Sequence, residues 1–530
     1  MGIAMMRINV KYLLAVSICG FALAAAAQCP ARPASGTVVQ DALSLYSLNG
    51  TLNASFDMGY SVDSAGYSHY CYKYQTSTGT VEAPTLRLNP GDQLVLGVKD
   101  SIPTEKTSKM SGMDMSSLPG SCGDGGTATL QSTNVHFHGL NVPPICHQDD
   151  VLTTLIQPGA PSFEYNMQIP PNEPPGLYWY HPHVHGFTEF QVNGGAAGAL
   201  IVEGMEKYRP EVTGLTERVF VIRQQYLVPW VPGPYQLTIN YQTAPSLGDP
   251  AIPIIQVNAG EKEFWRVANA SLQDFMPLQV IVAGVPVPLE VVALDGYPLA
   301  APRYESTILI PPAGRAEFII PAFPADTAAQ LGALSYFTGP TGNLDVAQQL
   351  ANIQVLSKGA AKSQPAKSAP SSSKSASGIK FSGLKDATVT AQRKLYFSEE
   401  FGGTNGPIQF YITVDGQKQQ VFEPNEKPAI TTKVGAVEDW TIENRALETH
   451  DFHIHQIHFM MLEVNGKPVP NQDLRDTIEI PFWSGTGPYP SVKVRMDFRD
   501  PTIAGTFVFH CHILLHEDMG MMHKIQVLPN

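Results

Sequence analysis

Three stretches of this chain repeat one pattern: NPGDQLVLGVKD (89–100), NAGEKEFWRVAN (258–269) and KVGAVEDWTIEN (433–444). Each places a glycine turn before a strand with alternating apolar residues, the period of an extended segment with one buried face. A chain that writes such a unit three times is expected to fold as three β-sandwiches in series. Composition agrees: Gly 45, Pro 44 and only 15% charged residues in 530 suit many short strands joined by turns.

The copies differ where chemistry would sit. Six, nine and eleven residues after Asn444 stand His450, His453 and His455, whereas the same offsets from Asn269 give Phe275, Leu278 and Val280. A second block also recurs, GLYWYHPH (176–183) against GTFVFHCH (505–512). It aligns His181 and His183 with His510 and His512, and Pro182 with Cys511. The middle copy, GALSYFTG (332–339), has Phe337, Thr338 and Gly339 there. The first copy carries NVHFHG, whose His136 and His138 correspond to His453 and His455, with Thr133 in place of His450. The middle unit is therefore expected to be structural and to hold no metal.

The stretch FHCHILLHEDMGMM (509–522) has a further consequence. On a strand, Cys511 points to one face and His510 and His512 to the other. Cys511 with His516 and a nearby Met supplies most of a blue-copper ligand set, His₂Cys with a weak axial thioether. His450 completes it. Eight imidazoles then remain, four from the first unit and four from the third, as His-x-His pairs with both rings on one strand face. Eight are too many for one ion and suit a cluster held between two units.

With NVHFHG, WYHPHVHG, HDFHIHQIH and FHCHILLHEDMGMM together, the chain resembles the three-domain multicopper oxidases, the laccase and cuprous-oxidase superfamily, of bacterial copper-resistance type. The resemblance implies an all-β chain of three consecutive cupredoxin-like Greek-key β-sandwich domains and four copper ions. Type 1 copper would take His450, Cys511, His516 and axial Met521; type 2 would take His136 and His453. The type 3 pair would take His138, His181, His183, His455, His510 and His512. The implied activity couples four one-electron oxidations of a small reducing substrate, a phenol, an aromatic amine or Cu(I), to reduction of dioxygen to water. The alternative is a periplasmic copper-sequestering protein with little turnover. Asp451 and Gln456 depart from the commoner Pro and Gly, and a change on the solvent side of His450 is expected from them. Proton relays are expected at Asp149 or Asp150, just after the first His-x-His motif, and at Glu517.

The units are expected at 28–205, 206–357 and 379–530, with a Ser/Ala/Lys/Pro-rich linker at 358–378. Residues 1–27 read as a signal peptide, with Arg7 and Lys11 before an apolar run and Ala25–Ala27 as cleavage site. Export to the periplasm or medium follows, and no other run is long enough to span a membrane. A net charge of −13 argues against nucleic acid as partner, and a monomer is expected. Cys29, Cys71, Cys122 and Cys146 allow three disulfide pairings. Sequence proximity favours Cys122–Cys146, which leaves Cys29–Cys71. Met110, Met113 and Met115 form a soft-ligand cluster that could take Cu(I). Asn49, Asn53 and Asn269 stand in glycosylation sequons.

Overall fold

The computed structural model describes residues 28–63, 66–104, 121–226, 235–243, 251–357, 378–401 and 408–530. The signal-like segment, the Met110–Met115 cluster and linker positions 358–377 lie outside the described residues. The chain is all-β, and its main sheets fall into three sequential pairs spanning 44–202, 216–356 and 391–528. Each pair closes over its own apolar core, centred on residues such as Phe137 and Tyr180, Trp265 and Phe318, and Trp440 and Phe509. These are three cupredoxin-like sandwiches in series.

The repeat is physical as well as textual. Asn444 ends its strand and Asn269 stands one residue before the end of its own, and in both the side-chain oxygen accepts from the backbone N–H two residues on. Their amide nitrogens donate to backbone carbonyls, of Asp274, Ile310 and Pro311 in one case and of Glu448 and Ile480 in the other. Asp100 plays the same part in the first copy, accepting from the Ile102 N–H. Trp265 and Trp440 donate their indole N–H to Glu263 and Glu438, two residues before each. Asn269 is fully buried with its amide committed, so that sequon cannot carry a glycan.

Small residues let the sandwiches approach. Leu177, Trp179, Ala197, Ala199, Val219, Val221, Ala268 and Ala270 form a buried layer between the first and second. All three meet where Val192, Leu272 and Leu514 pack together. Disulfides join Cys29 to Cys71 and Cys122 to Cys146, the expected pairing, and Cys511 is the free cysteine among the described residues.

Candidate metal centres

Cys511 ends the strand Gly505–Cys511, and His450 opens the neighbouring strand His450–Ile454. The chain then turns through the short helix Leu514–Asp518, which carries His516. It folds back because Met521 N–H donates to His516 O at 2.8 Å and Cys511 N–H to Met521 O at 3.0 Å. The Cys511 thiol sulfur ends 3.7 Å from His450 Nδ1 and 3.8 Å from His516 Nδ1, all of them buried. Met521 lies in the same apolar cluster as Cys511, whereas Met522 packs with Val151, Phe422 and Val508. Burial pushes the Cys511 thiol well up and His516 well down. An ion held here must displace the thiol proton, and burial keeps the His516 imidazole facing it neutral. The outer edges of both rings meet carboxyls. His450 Nε2 is 3.3 Å from Glu399 and His516 Nε2 is 3.7 Å from Glu448. Burial and the hydrogen-bonded Glu399 push Glu448 up to about 8.

The other eight histidines come from strand pairs in the first and third sandwiches. His181 lies opposite His136 in one sheet, and His510 opposite His453 in the other, so the two sandwiches present matching arrays. The arrays interleave: His136 stacks on His455 and His138 on His453, each at 3.9 Å between ring centres. Donor atoms converge as two triads, His138, His181 and His512, and His183, His455 and His510, with His136 and His453 meeting beside His138.

Hydrogen bonds choose which nitrogen each ring turns inward. The Nδ1–H groups of His181, His453 and His510 donate to the carbonyls of Pro182, Asp476 and Cys511 at 2.8, 2.8 and 3.0 Å. His136 Nδ1 lies 3.0 Å from both Asp149 oxygens, and His138 Nε2 lies 3.5 Å from Asp476. The opposite atoms, Nε2 of His136, His181 and His453, are buried without a hydrogen-bond partner among the described residues, as are both ring nitrogens of His138, whose Nε2 only faces the Asp476 charge. Burial lowers the whole set, His181 to about 3 and His453 to about 4. Neutral rings with converging, unpaired lone pairs are what a nitrogen-loving cation would satisfy, so the donor set fits copper.

The acids divide. Asp149 is buried at the cluster, accepting from Phe137 N–H at 2.9 Å and from the Gln456 amide at 2.6 Å, and burial pushes it up to about 7. Asp150 is not brought to the cluster; it closes a turn on the Leu152 and Thr153 N–H groups and the Thr153 hydroxyl. Glu517 is buried with its oxygens 3.4 Å from His183 Nε2 and 3.3 Å from His510 Nδ1. Next to it, Asp518 accepts from Gly186, Thr188 and Glu189 N–H, so the third sandwich holds the turn after His183 and the start of the helix Thr188–Asn193.

Asp451 and Gln456 correct the expectation of a solvent-side change. Both are buried, and Gln456 reaches Asp149 rather than the surroundings of His450. Gln456 sits at φ 60°, the left-handed region that makes Gly the easier residue. Asp451 points into the interior with neither oxygen hydrogen-bonded among the described residues. The sequence reading missed Asp476, the cross-sandwich role of Asp518, and His458, whose Nε2–H donates to Asp295 O at 2.8 Å. No local motif marks them, because their partners are distant in the chain.

Residues 127–207 and 402–530 match two family models, each described as multicopper oxidase. A multicopper oxidase of Staphylococcus aureus is 24% identical over 88% of this chain and 90% of its own length. A laccase of Bacillus subtilis is 22% identical over 74% and 79%. A solved multicopper oxidase from Campylobacter jejuni, described as a metallo-oxidase, superposes with TM-score 0.67 at 23% identity over 94% of this chain and 96% of that one. Residues 127–207 and 402–530, which carry every converging donor, are multicopper oxidase domains, and with these relatives they support a multicopper oxidase of the laccase and cuprous-oxidase type, an oxidoreductase that uses dioxygen.

Proposed function

We propose that this oxidase holds four copper ions: type 1 at His450, Cys511, His516 and Met521, type 2 at His136 and His453, and a type 3 pair in the two histidine triads. The observation that carries the reading is the strand at 510–512. Cys511 faces the mononuclear donors, and its neighbours His510 and His512 each join a different triad. Copper bound there supplies the one-electron steps that link substrate oxidation to four-electron reduction of dioxygen to water. The chain's own residues orient the rings, exclude water from the donors and give a short covalent path from Cys511 to both triads. Glu517 Oε1 and Oε2, beside His183 and His510, and the Asp149 carboxyl, beside His136, are the atoms placed to deliver protons.

The reducing substrate is proposed to be a small phenol or aromatic amine. The hairpin of Tyr336–Phe337 and Leu344–Asp345 leaves Phe337 54% and Leu344 59% exposed, and Phe337 packs edge-on against Phe482 at 5.7 Å. The same hairpin lies over the type 1 edge, where Thr341 donates to Glu399 at 3.3 Å. An aromatic ring could rest on the apolar patch while its hydroxyl or amine donates to the carboxyl pair. Cu(I) is the second reading, favoured by the thioethers of Met110, Met113 and Met115. Each end unit supplies donors and the middle unit none, with the units divided near 205 and 357. The signal-like start and two disulfides support export. One chain supplies every donor, which supports a monomer.

Copper-loaded protein should be intensely blue and should consume oxygen with a phenol. Cys511→Ser should abolish both while the fold survives. A variant that stays blue, or unaltered protein that is blue but takes up no oxygen, would reject the oxidase reading in favour of sequestration or another site.

A further inference from the structure

The copper-free middle sandwich reaches into the histidine cluster. Arg315 opens its strand Arg315–Ile320, is fully buried, and has a partner for each of its five N–H protons. Two go to Asp476 of the third sandwich, at 2.6 and 2.5 Å, as a bidentate pair. The others go to Leu177 O of the first sandwich at 3.2 Å, to Ala313 O at 3.2 Å and to Asp295 O at 2.8 Å. Asp295 fixes Arg315 in turn, accepting from its backbone N–H at 2.8 Å.

What Arg315 holds is a hub. The Asp476 carboxylate faces His138 Nε2 at 3.5 Å, and its carbonyl accepts from His453 Nδ1 at 2.8 Å. These contacts turn His138 Nδ1 and His453 Nε2 toward the cluster. The Gly of NVHFHG then has a reason. A Cβ on Gly139 would lie 2.6 Å from Arg315 Nη2 and 2.7 Å from Asp476 Oδ2, so only glycine leaves room for the ion pair.

We propose that Arg315, seated by Asp295, is a positioning residue for the trinuclear centre: through the Asp476 carboxylate it sets which nitrogen of His138 faces the metal. This rests on the copper-cluster reading above. The middle sandwich is then part of the site without supplying a ligand. Removing the guanidinium leaves a buried carboxylate free to turn away, and His138 loses the charge that faces its Nε2.

The test is copper retention by Arg315→Met against a graded chelator, read as copper per chain, blue-band intensity and the electron spin resonance signal of type 2 copper. We expect the cluster's hold on copper to weaken about 10- to 100-fold, the usual effect of removing a partner behind a ligand, with the blue band unchanged. Arg315→Lys should fall between, because an ammonium cannot bridge both oxygens. Glu317→Gln is the control. That carboxylate is equally buried, pairs with Arg266 and accepts from Leu177 N–H, but touches no ligand histidine. It should lower thermal stability and leave copper retention unaltered. If Arg315→Met does not fold, Arg315→Met/Asp476→Asn, which orphans no charge, is read in its place. Full copper retention with an unaltered type 2 signal in the folded variant overturns the proposal. Absence of copper from the unaltered protein would instead overturn the copper-cluster reading.

Discussion

Met521 and Met522 are adjacent, yet the chain turns one toward Cys511 and the other toward Val508 and Phe422. A thioether donates weakly to copper and favours the oxidised ion, so Met521→Leu should raise the type 1 potential. The swap nearly conserves volume and should cost less than about 1.5 kcal/mol of stability. A rise of about 59 mV corresponds to tenfold in a one-electron equilibrium, so tens of millivolts should speed oxidation of poorly reducing phenols severalfold. Redox titration of the blue band checks it, and an unmoved potential would remove Met521 from the ligand set. Asp149 and Asp150 make the same point. A sequence offers two neighbouring carboxyls; the fold commits one to His136 and the other to a turn.

At the scale of elements, the middle unit's counterpart of the ligand-bearing strand ends early. Where the first and third units continue to His-x-His or His-Cys-His, residues 328–333 form a strand and the chain then leaves as the 336–345 hairpin. Thr449 N–H donates to Thr338 O at 2.6 Å, which fixes that hairpin just before His450. Replacing both Phe337 and Leu344 by Ser should raise KM for a bulky phenol severalfold and leave oxidation of a small inorganic reductant unchanged. Both side chains are more than half exposed, so stability should move by no more than about 0.5 kcal/mol each. Equal effects on both substrates would detach the hairpin from substrate binding.

For the whole molecule, three sandwiches with buried carboxyls have a predictable pH response. Burial pushes Asp100 up to about 8, and burial with neighbouring Asp274 does the same to Asp345. The folded state therefore keeps protons that the unfolded chain releases near pH 4. Stability from these groups is full below about pH 4 and is lost as pH rises through about 8, at up to about 1.4 kcal/mol per pH unit for each group. Above the ordinary histidine range, where imidazoles no longer oppose this, the copper-free protein should melt at lower temperature at pH 8.5 than at pH 7.5. Asp100→Asn should flatten that fall. A melting temperature that is level across this range in the unaltered protein would contradict it.

The sequence by itself determined the three-fold repeat, the all-β class and which histidines and cysteine come together, because those depend on period and residue type, which are local. The alternation of 510–512 alone put Cys511 on one face and His510 and His512 on the other, and Phe275, Leu278 and Val280 set the middle unit apart from the two that carry the converging histidines. Sequence proximity also pointed to the disulfide pairing that the fold contains. Tertiary structure decided what distance along the chain hides. The grouping of eight histidines into two triads and a pair requires two sandwiches to interlock, and no spacing within either encodes it. Gln456 reaching Asp149 across 307 positions, Asp518 holding the 186–189 loop, and Arg315 of the unit without ligands gripping Asp476 are contacts between separate strands. Their energy comes from burying charge and amide together, a condition that exists only once the sheets have packed.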